Sequence, residues 1–112
     1  AYSPLGSKDR VAQMKKEDEP DLFELESVKK LAEKHDKTPA QILIAFTLNR
    51  GLSVIPKSTN EGRIKENLEA DKINLKPEEV KELMKEDKGY RIVDGSFWTR
   101  EGSPYSIEYL WG

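Results

Sequence analysis

The sequence predicts an α/β chain. Three consecutive observations carry this: a helix over Pro39 to Asn49 that opens on a capping box, a glycine stop at Gly51, and an apolar run, Leu52 to Ile55, that leads through a polar turn into another helix. Thr38 is the cap, Pro39 occupies the first helical position, and Gln41 lies three residues after the cap. The helix interior, Ala40, Ile42, Leu43, Ile44, Ala45, Phe46 and Leu48, is apolar on nearly every side, which requires contacts on more than one face. Leu52, Val54 and Ile55 suit a short strand that Pro56 ends, because proline cannot donate to a sheet ladder.

Composition narrows the class. A chain of 112 residues accommodates one small domain, so residues 1–112 are read as one unit, with 1–88 as helix and strand units and 89–112 as a terminal loop. The net charge of -2, with no basic stripe interleaved with aromatics, argues against nucleic-acid binding. The strongly apolar stretch Ile42 to Leu48 is too short to cross a bilayer, and no leader pattern opens the sequence; a soluble, cytoplasmic protein without a membrane partner is expected. Zero cysteines remove disulfides and thiol chemistry, and a single histidine, His35, removes any multi-histidine metal centre.

In chain order, Tyr2-Ser3-Pro4-Leu5-Gly6-Ser7 reads as a strand end turning into a loop: a ligand-facing loop with free backbone N–H groups, or an ordinary turn. Lys8 to Asp21 is charged enough to be a solvated loop. From Asp21 a helical pattern begins, with Leu25, Val28, Leu31 and Ala32 on one face and His35 near the end in a structural role. A helix from about Glu61 to Leu68 should turn Ile64 and Leu68 inward and carry Arg63, Glu66 and Asn67 on another face. That polar face is a planar ligand's grip or a surface ion pair. Lys76-Pro77-Glu78-Glu79 starts a last helix with Val80, Leu83 and Met84 as its buried stripe and Gly89 as its end. The tail, with Phe97, Trp98, Tyr105, Tyr109 and Trp111, should be irregular and lie over a partner or pocket, or simply dock on the surface.

The turn after Ile55 is the chemically loaded stretch. A helix start exposes unpaired N–H groups and the positive end of the helix dipole, so Lys57, Ser58 and Arg63 around it suit a phosphate. The bland reading of the Ser/Thr/Asn cluster is a helix cap.

Taken together, Tyr2-Ser3-Pro4-Leu5-Gly6-Ser7 with Asp9, the Thr38-Pro39-Ala40-Gln41 cap, and Ile55-Pro56-Lys57-Ser58 followed by Arg63-Ile64 and Glu66-Asn67 resemble the cofactor-binding half of the aldo-keto reductases, with a tail that looks closest to fungal members. The resemblance implies the C-terminal part of a (β/α)8 TIM barrel, with Tyr2 on the seventh strand and Leu52 to Ile55 on the eighth, where barrels of this kind carry phosphate sites. It implies NADP(H) as cofactor, with NAD(H) also possible. Tyr2 would stack on the nicotinamide; Ser3, Leu5 and Ser7 would line the pyrophosphate; Asp9 would close a belt with Lys57. Lys57, Ser58, Thr59 and Arg63 would surround the 2′-phosphate, and Glu66 and Asn67 would read the adenine edge. Two cations beside the ribose favour the phosphorylated cofactor.

The resemblance further implies reduction of small aldehydes or ketones by hydride transfer, with Phe97 and Trp98 on a substrate-side loop. No residue here is assigned a catalytic role: the family's Asp, Tyr, Lys and His precede the seventh strand, and Tyr2 and Lys57 are cofactor ligands. The expected partner is the N-terminal portion of the barrel. A non-catalytic dinucleotide- or anion-binding module and a truncated paralogue with a protein-binding tail are the other readings. Two strands cannot close a barrel, which leaves Leu52 to Ile55 with an unpaired edge. The 112-residue chain alone is therefore expected to be unstable and inactive; a cooperative thermal transition as a monomer would contradict the first expectation.

Overall fold

The computed structural model describes residues 1–112, the side chain of Gln13 excepted. Its regular elements are helices: α1 (Glu26–His35), α2 (Pro39–Asn49), α3 (Glu61–Glu69), α4 (Pro77–Met84) and α5 (Ile107–Trp111), with 3-10 turns at Ala12–Met14, Leu22–Glu24, Ala70–Lys72 and Ser96–Trp98. α2 sits at the centre, in contact with α1, α3, the Ala70–Lys72 turn and α4. Its apolar circumference is what demands this. Ile42, Ile44 and Ala45 are fully enclosed, as are Val28 and Leu31 of α1 and Ala70; the buried Ile73 and Leu75, with Leu83 of α4, complete the core. Truncating such a buried isoleucine to alanine typically costs about 2–5 kcal/mol.

The start of α2 matches the sequence pattern bond for bond. Thr38 Oγ1 accepts from Gln41 N at 3.2 Å, and Gln41 Oε1 accepts from Thr38 N at 3.2 Å. At the other end Gly51, at φ +75°, takes the left-handed conformation that stops the helix, and its N–H donates to Leu48 O. Asn49 adds a staple: its Nδ2 donates to Ala45 O and Ile73 O, and its Oδ1 accepts from Leu75 N, fixing the 73–75 segment against α2.

Several sequence expectations are corrected. No strand is present among the described residues. The segment 52–55 is extended, but only Ala1 lies beside it: Ala1 N donates to Ser53 O and Ile55 N donates to Ala1 O, a parallel pairing one residue long. One pair is not a ladder. α1 begins at Glu26 rather than Asp21, because Asp21 caps the short Leu22–Glu24 turn, its side chain accepting from Phe23 N. Ile64 and Leu68 do not face inward; they are 52% and 74% exposed, because α3 docks on α2 through its polar face. α4 ends at Met84, which is exposed, and not at Gly89. The tail is not wholly irregular, since it contains the Ser96–Trp98 turn and α5.

The charged loop is largely exposed, as expected, apart from a few residues, Arg10 and Glu19 foremost. Arg10 forms a bidentate pair with Glu19, both side chains nearly buried, and its Nη1 donates to Ile92 O at 2.5 Å. Lys16 pairs with Asp94 at 3.0 Å, and Tyr90 Oη lies 3.5 Å from Glu19. Within the tail, Trp111 Nε1 donates to Asp94 O and the Arg91 guanidinium stacks 3.9 Å over the Trp111 ring. The tail is thus laced to the loop between Gly6 and Asp21.

His35 does have a structural partner. Its Nε2 lies 3.1 Å from both carboxylate oxygens of Glu79, which also takes a hydrogen bond from Lys34 Nζ at 2.6 Å and from Lys76 N at 2.8 Å. Glu79 thereby joins the end of α1 to the start of α4 at a site 2% exposed. Burial pushes the Glu79 carboxyl up, but Lys34, the Lys76 N–H and His35 outweigh it and hold the group at about 2, below its ordinary 4.5. The folded state then binds fewer protons than the unfolded chain between those values. Glu79 stabilises fully above about pH 4.5 and ceases to as pH falls through about 2. Glu79→Gln should cost on the order of 2 kcal/mol at neutral pH and flatten that part of the acid-unfolding profile, as urea titrations across the range would register.

Candidate functional site

Two loops face one another across a cavity of about 600 Å³. The first follows Tyr2. A turn closed by Gly6 N donating to Ser3 O brings Ser3, at φ 50°, and Ser7, at φ 47°, into left-handed backbone conformations. Non-glycine residues adopt these at a cost of about 1–2 kcal/mol, and such strain concentrates at ligand sites. Gly6, at φ +80°, is buried there; a Cβ would meet Leu22 Cδ1 at 3.4 Å and Ile92 Cδ1 at 3.7 Å.

The second loop runs from Ile55 into α3. Asn60 caps α3, its side chain accepting from Arg63 N at 3.0 Å, and Ser58 Oγ accepts from Asn60 N at 3.2 Å. The cap reading is what the structure shows: Asn60 supplies the cap, at the end of the turn that carries Lys57, Ser58 and Thr59. Lys57 Nζ reaches across to Asp9 Oδ2 at 3.1 Å, an exposed pair that links the loops. The Lys57 hydrogen bond, and then its charge, hold the Asp9 carboxyl below the usual range.

The cavity wall gathers Ser3, Leu5, Ser7, Asp9, Lys57, Ser58, Thr59, Arg63, Glu66 and Asn67. These are residues that sequence reasoning singled out from two stretches some fifty positions apart, for example Lys57 and Asp9 at a separation of 48. Tyr2 is not in that wall and is 55% exposed. Phe97 and Trp98 are not in it either; they pack edge to face on each other, ring centroids 6.0 Å apart, about half exposed on the tail.

Arg63 is the informative cation. The ion pair with Glu66 that their spacing allows is not formed, and among the described residues Arg63 enters no salt bridge. Glu66 instead accepts the hydroxyl proton of Thr38 at 2.5 Å, while its main-chain carbonyl accepts from Gln41 Nε2 at 3.0 Å. A free guanidinium and the ammonium of Lys57 on one wall suit a phosphoryl group, and a partly buried carboxylate beside them suits an N–H donor.

Beyond the assigned residues the wall includes Thr38, Phe23 and Lys8. Thr38 was legible only as a cap, although the same hydroxyl serves the cavity. Phe23 and Lys8 complete the wall near the first loop, Lys8 lying 4.9 Å from the Phe23 ring centroid and paired with Asp21. A lone aromatic before a helix carries no signal of its own. No group of carboxylates or imidazole able to hold a metal ion occurs among the described residues, and no helix of the structure is long and apolar enough to cross a membrane.

Comparison with known proteins finds relatives over most of the chain. The profile of the aldo/keto reductase family matches residues 1–88. An aldo/keto reductase of Synechocystis is 41% identical over 111 residues, 99% of this chain and 34% of its own. A probable NAD(P)H-dependent D-xylose reductase of Aspergillus niger is 48% identical over 77 residues, covering 69% of this chain and 24% of its own. Mouse aldo-keto reductase family 1 member A1 is 44% identical over 93 residues, 83% of this chain and 28% of its own. Among solved structures, an aldo-keto reductase enzyme from a deep-sea metagenome library superposes with a TM-score of 0.69 at 34% identity, over 81% of this chain and 30% of that one. The chain thus spans about a third or less of the length of these relatives.

Proposed function

The chain belongs to the aldo/keto reductase family, and from that premise we propose that it is the cofactor-gripping C-terminal portion of a (β/α)8 reductase that uses NADP(H) to reduce small aldehydes or ketones. The unpaired Arg63 beside Lys57 on the cavity wall carries the reading. A phosphate monoester needs charge-assisted donors, and a guanidinium without a carboxylate partner gives up no existing ion pair to supply them. The cavity volume lies within the range of small-molecule sites.

In this reading the cofactor supplies the hydride when bound, and the residues of this chain hold it. Ser3, Leu5 and Ser7 offer the pyrophosphate a turn whose strained backbone is already set. Lys57, Ser58, Thr59 and Arg63 receive the 2′-phosphate, and Glu66 and Asn67 receive the base. Asp9 and Lys57 form a strap across the cleft, which a bound dinucleotide would lie beneath. Tyr2, exposed beside the cleft, is free to present its ring to the nicotinamide. NAD(H) would lack only the phosphate contacts, and the relatives described as NAD(P)H-dependent fit a site that tolerates both.

The acid that protonates the substrate oxygen and the remaining six strands are assigned to the preceding portion of the barrel. Docking of that portion would cover Leu52, Ile55, Ile64 and Leu68, all exposed here. Phe97 and Trp98, held on a tail laced to the first loop, would border the substrate.

Two measurements test this. The intact mass of the protein in its source should be about three times that of this chain, in line with the share its relatives share with it; a mass of 12.8 kDa would overturn the barrel reading. At native length, Lys57→Met should weaken NADPH by about tenfold or more and NADH much less. Equal losses for the two cofactors would remove Lys57 from the phosphate site.

A further inference from the structure

Thr38 carries two duties with one hydroxyl. Its Oγ1 accepts from Gln41 N, which caps α2, and gives its only proton to Glu66 Oε1. Gln41 closes the same node from both sides, accepting from Thr38 N and donating to the main-chain carbonyl of Glu66. The side chain and the backbone of Glu66 are therefore both fastened to the first turn of α2. Its other oxygen, Oε2, has no protein partner among the described residues, and Thr38 and Glu66 both line the cavity.

A glutamate has three side-chain torsions, and an unfastened one loses their freedom when it engages a ligand. The Thr38 bond removes much of that loss beforehand, and the positive end of α2 adds to the hold on the carboxylate. Resting on the reading that Glu66 meets the adenine edge, we infer that Thr38 is the positioning residue that makes Glu66 selective for a purine bearing an exocyclic amine. A carboxylate fixed with one oxygen occupied is an acceptor aimed at one donor. A purine carrying a carbonyl at that position would face it acceptor to acceptor.

The ratio of dissociation constants for NADPH and its hypoxanthine analogue, measured by titration calorimetry on the protein at native length, reads this directly. The unsubstituted protein should favour NADPH by about tenfold, the worth of one hydrogen bond to a charged group. Thr38→Ser keeps both the cap and the proton and should preserve the ratio. Thr38→Asp keeps the cap but repels Glu66, and Thr38→Val keeps the shape but has no proton; in both the ratio should fall toward one. An unchanged ratio in either folded variant overturns the inference while leaving the cofactor site standing, as does an absence of discrimination before substitution. Failure of the unsubstituted protein to bind NADPH at all would instead strike the cofactor reading, and this inference with it.

Discussion

α2 is apolar on nearly every side and has to be surrounded. That constraint arranges the rest of the chain. α1 covers one side, α4 and the 73–75 segment cover others, and the fully buried Ile42, Ile44 and Ala45 mark where they meet. Burial of this kind supplies the driving force for docking but little orientation, because apolar contacts are weakly directional. Orientation comes from polar bonds at the margins: Asn49 to the 73–75 segment, Glu79 between α1 and α4, and Thr38 and Gln41 to α3.

The last of these has a functional side. α3 approaches α2 through Glu66 and leaves Ile64 and Leu68 in solvent, the reverse of what an isolated amphipathic helix would do. A helix held by hydrogen bonds keeps a defined rotation about its axis, and that rotation puts Arg63, Glu66 and Asn67 on the cavity side. The cavity-facing edge of α3 is therefore set from the N-terminus of α2, the same capping box that fixes where the central helix begins.

Much of this was legible beforehand, for definable reasons. The capping box is a local pattern whose bonds join residues three apart, so the sequence contains all of it. The family resemblance grouped Ser3, Leu5, Ser7 and Asp9 with Lys57, Ser58, Thr59, Arg63, Glu66 and Asn67, and these residues do line one cavity, whereas Lys8, Phe23 and Thr38 of the same wall were not in that group. What failed were statements about which apolar side chains turn inward. Ile64, Leu68 and Met84 have helical spacing that defines a face, but a face says nothing about whether a neighbour is present to cover it. The strand at 52–55 failed likewise: β-favouring residues specify an extended backbone, and a sheet also needs partners, of which only Ala1 is at hand. The pairing of Arg10 with Glu19 and Ile92 joins residues far apart in a charged loop and an aromatic tail, where no period or motif foreshadows it.

That pairing gives the loop after Ser7 an unusual division of labour. Asp9 and Arg10 are consecutive, yet Asp9 holds the strap over the cleft in open solvent and Arg10 holds the tail from a nearly closed site. One trans peptide keeps their Cα atoms about 3.8 Å apart, so a displacement of the backbone at Asp9 reaches Arg10. Opening the strap by shifting this loop would drag a guanidinium from its carboxylate, and stranding a charge in so enclosed a place costs about 3–5 kcal/mol. The two side chains of the strap, Lys57 and Asp9, are both exposed, so rotation of either one parts it and leaves Arg10, Glu19 and the tail in place.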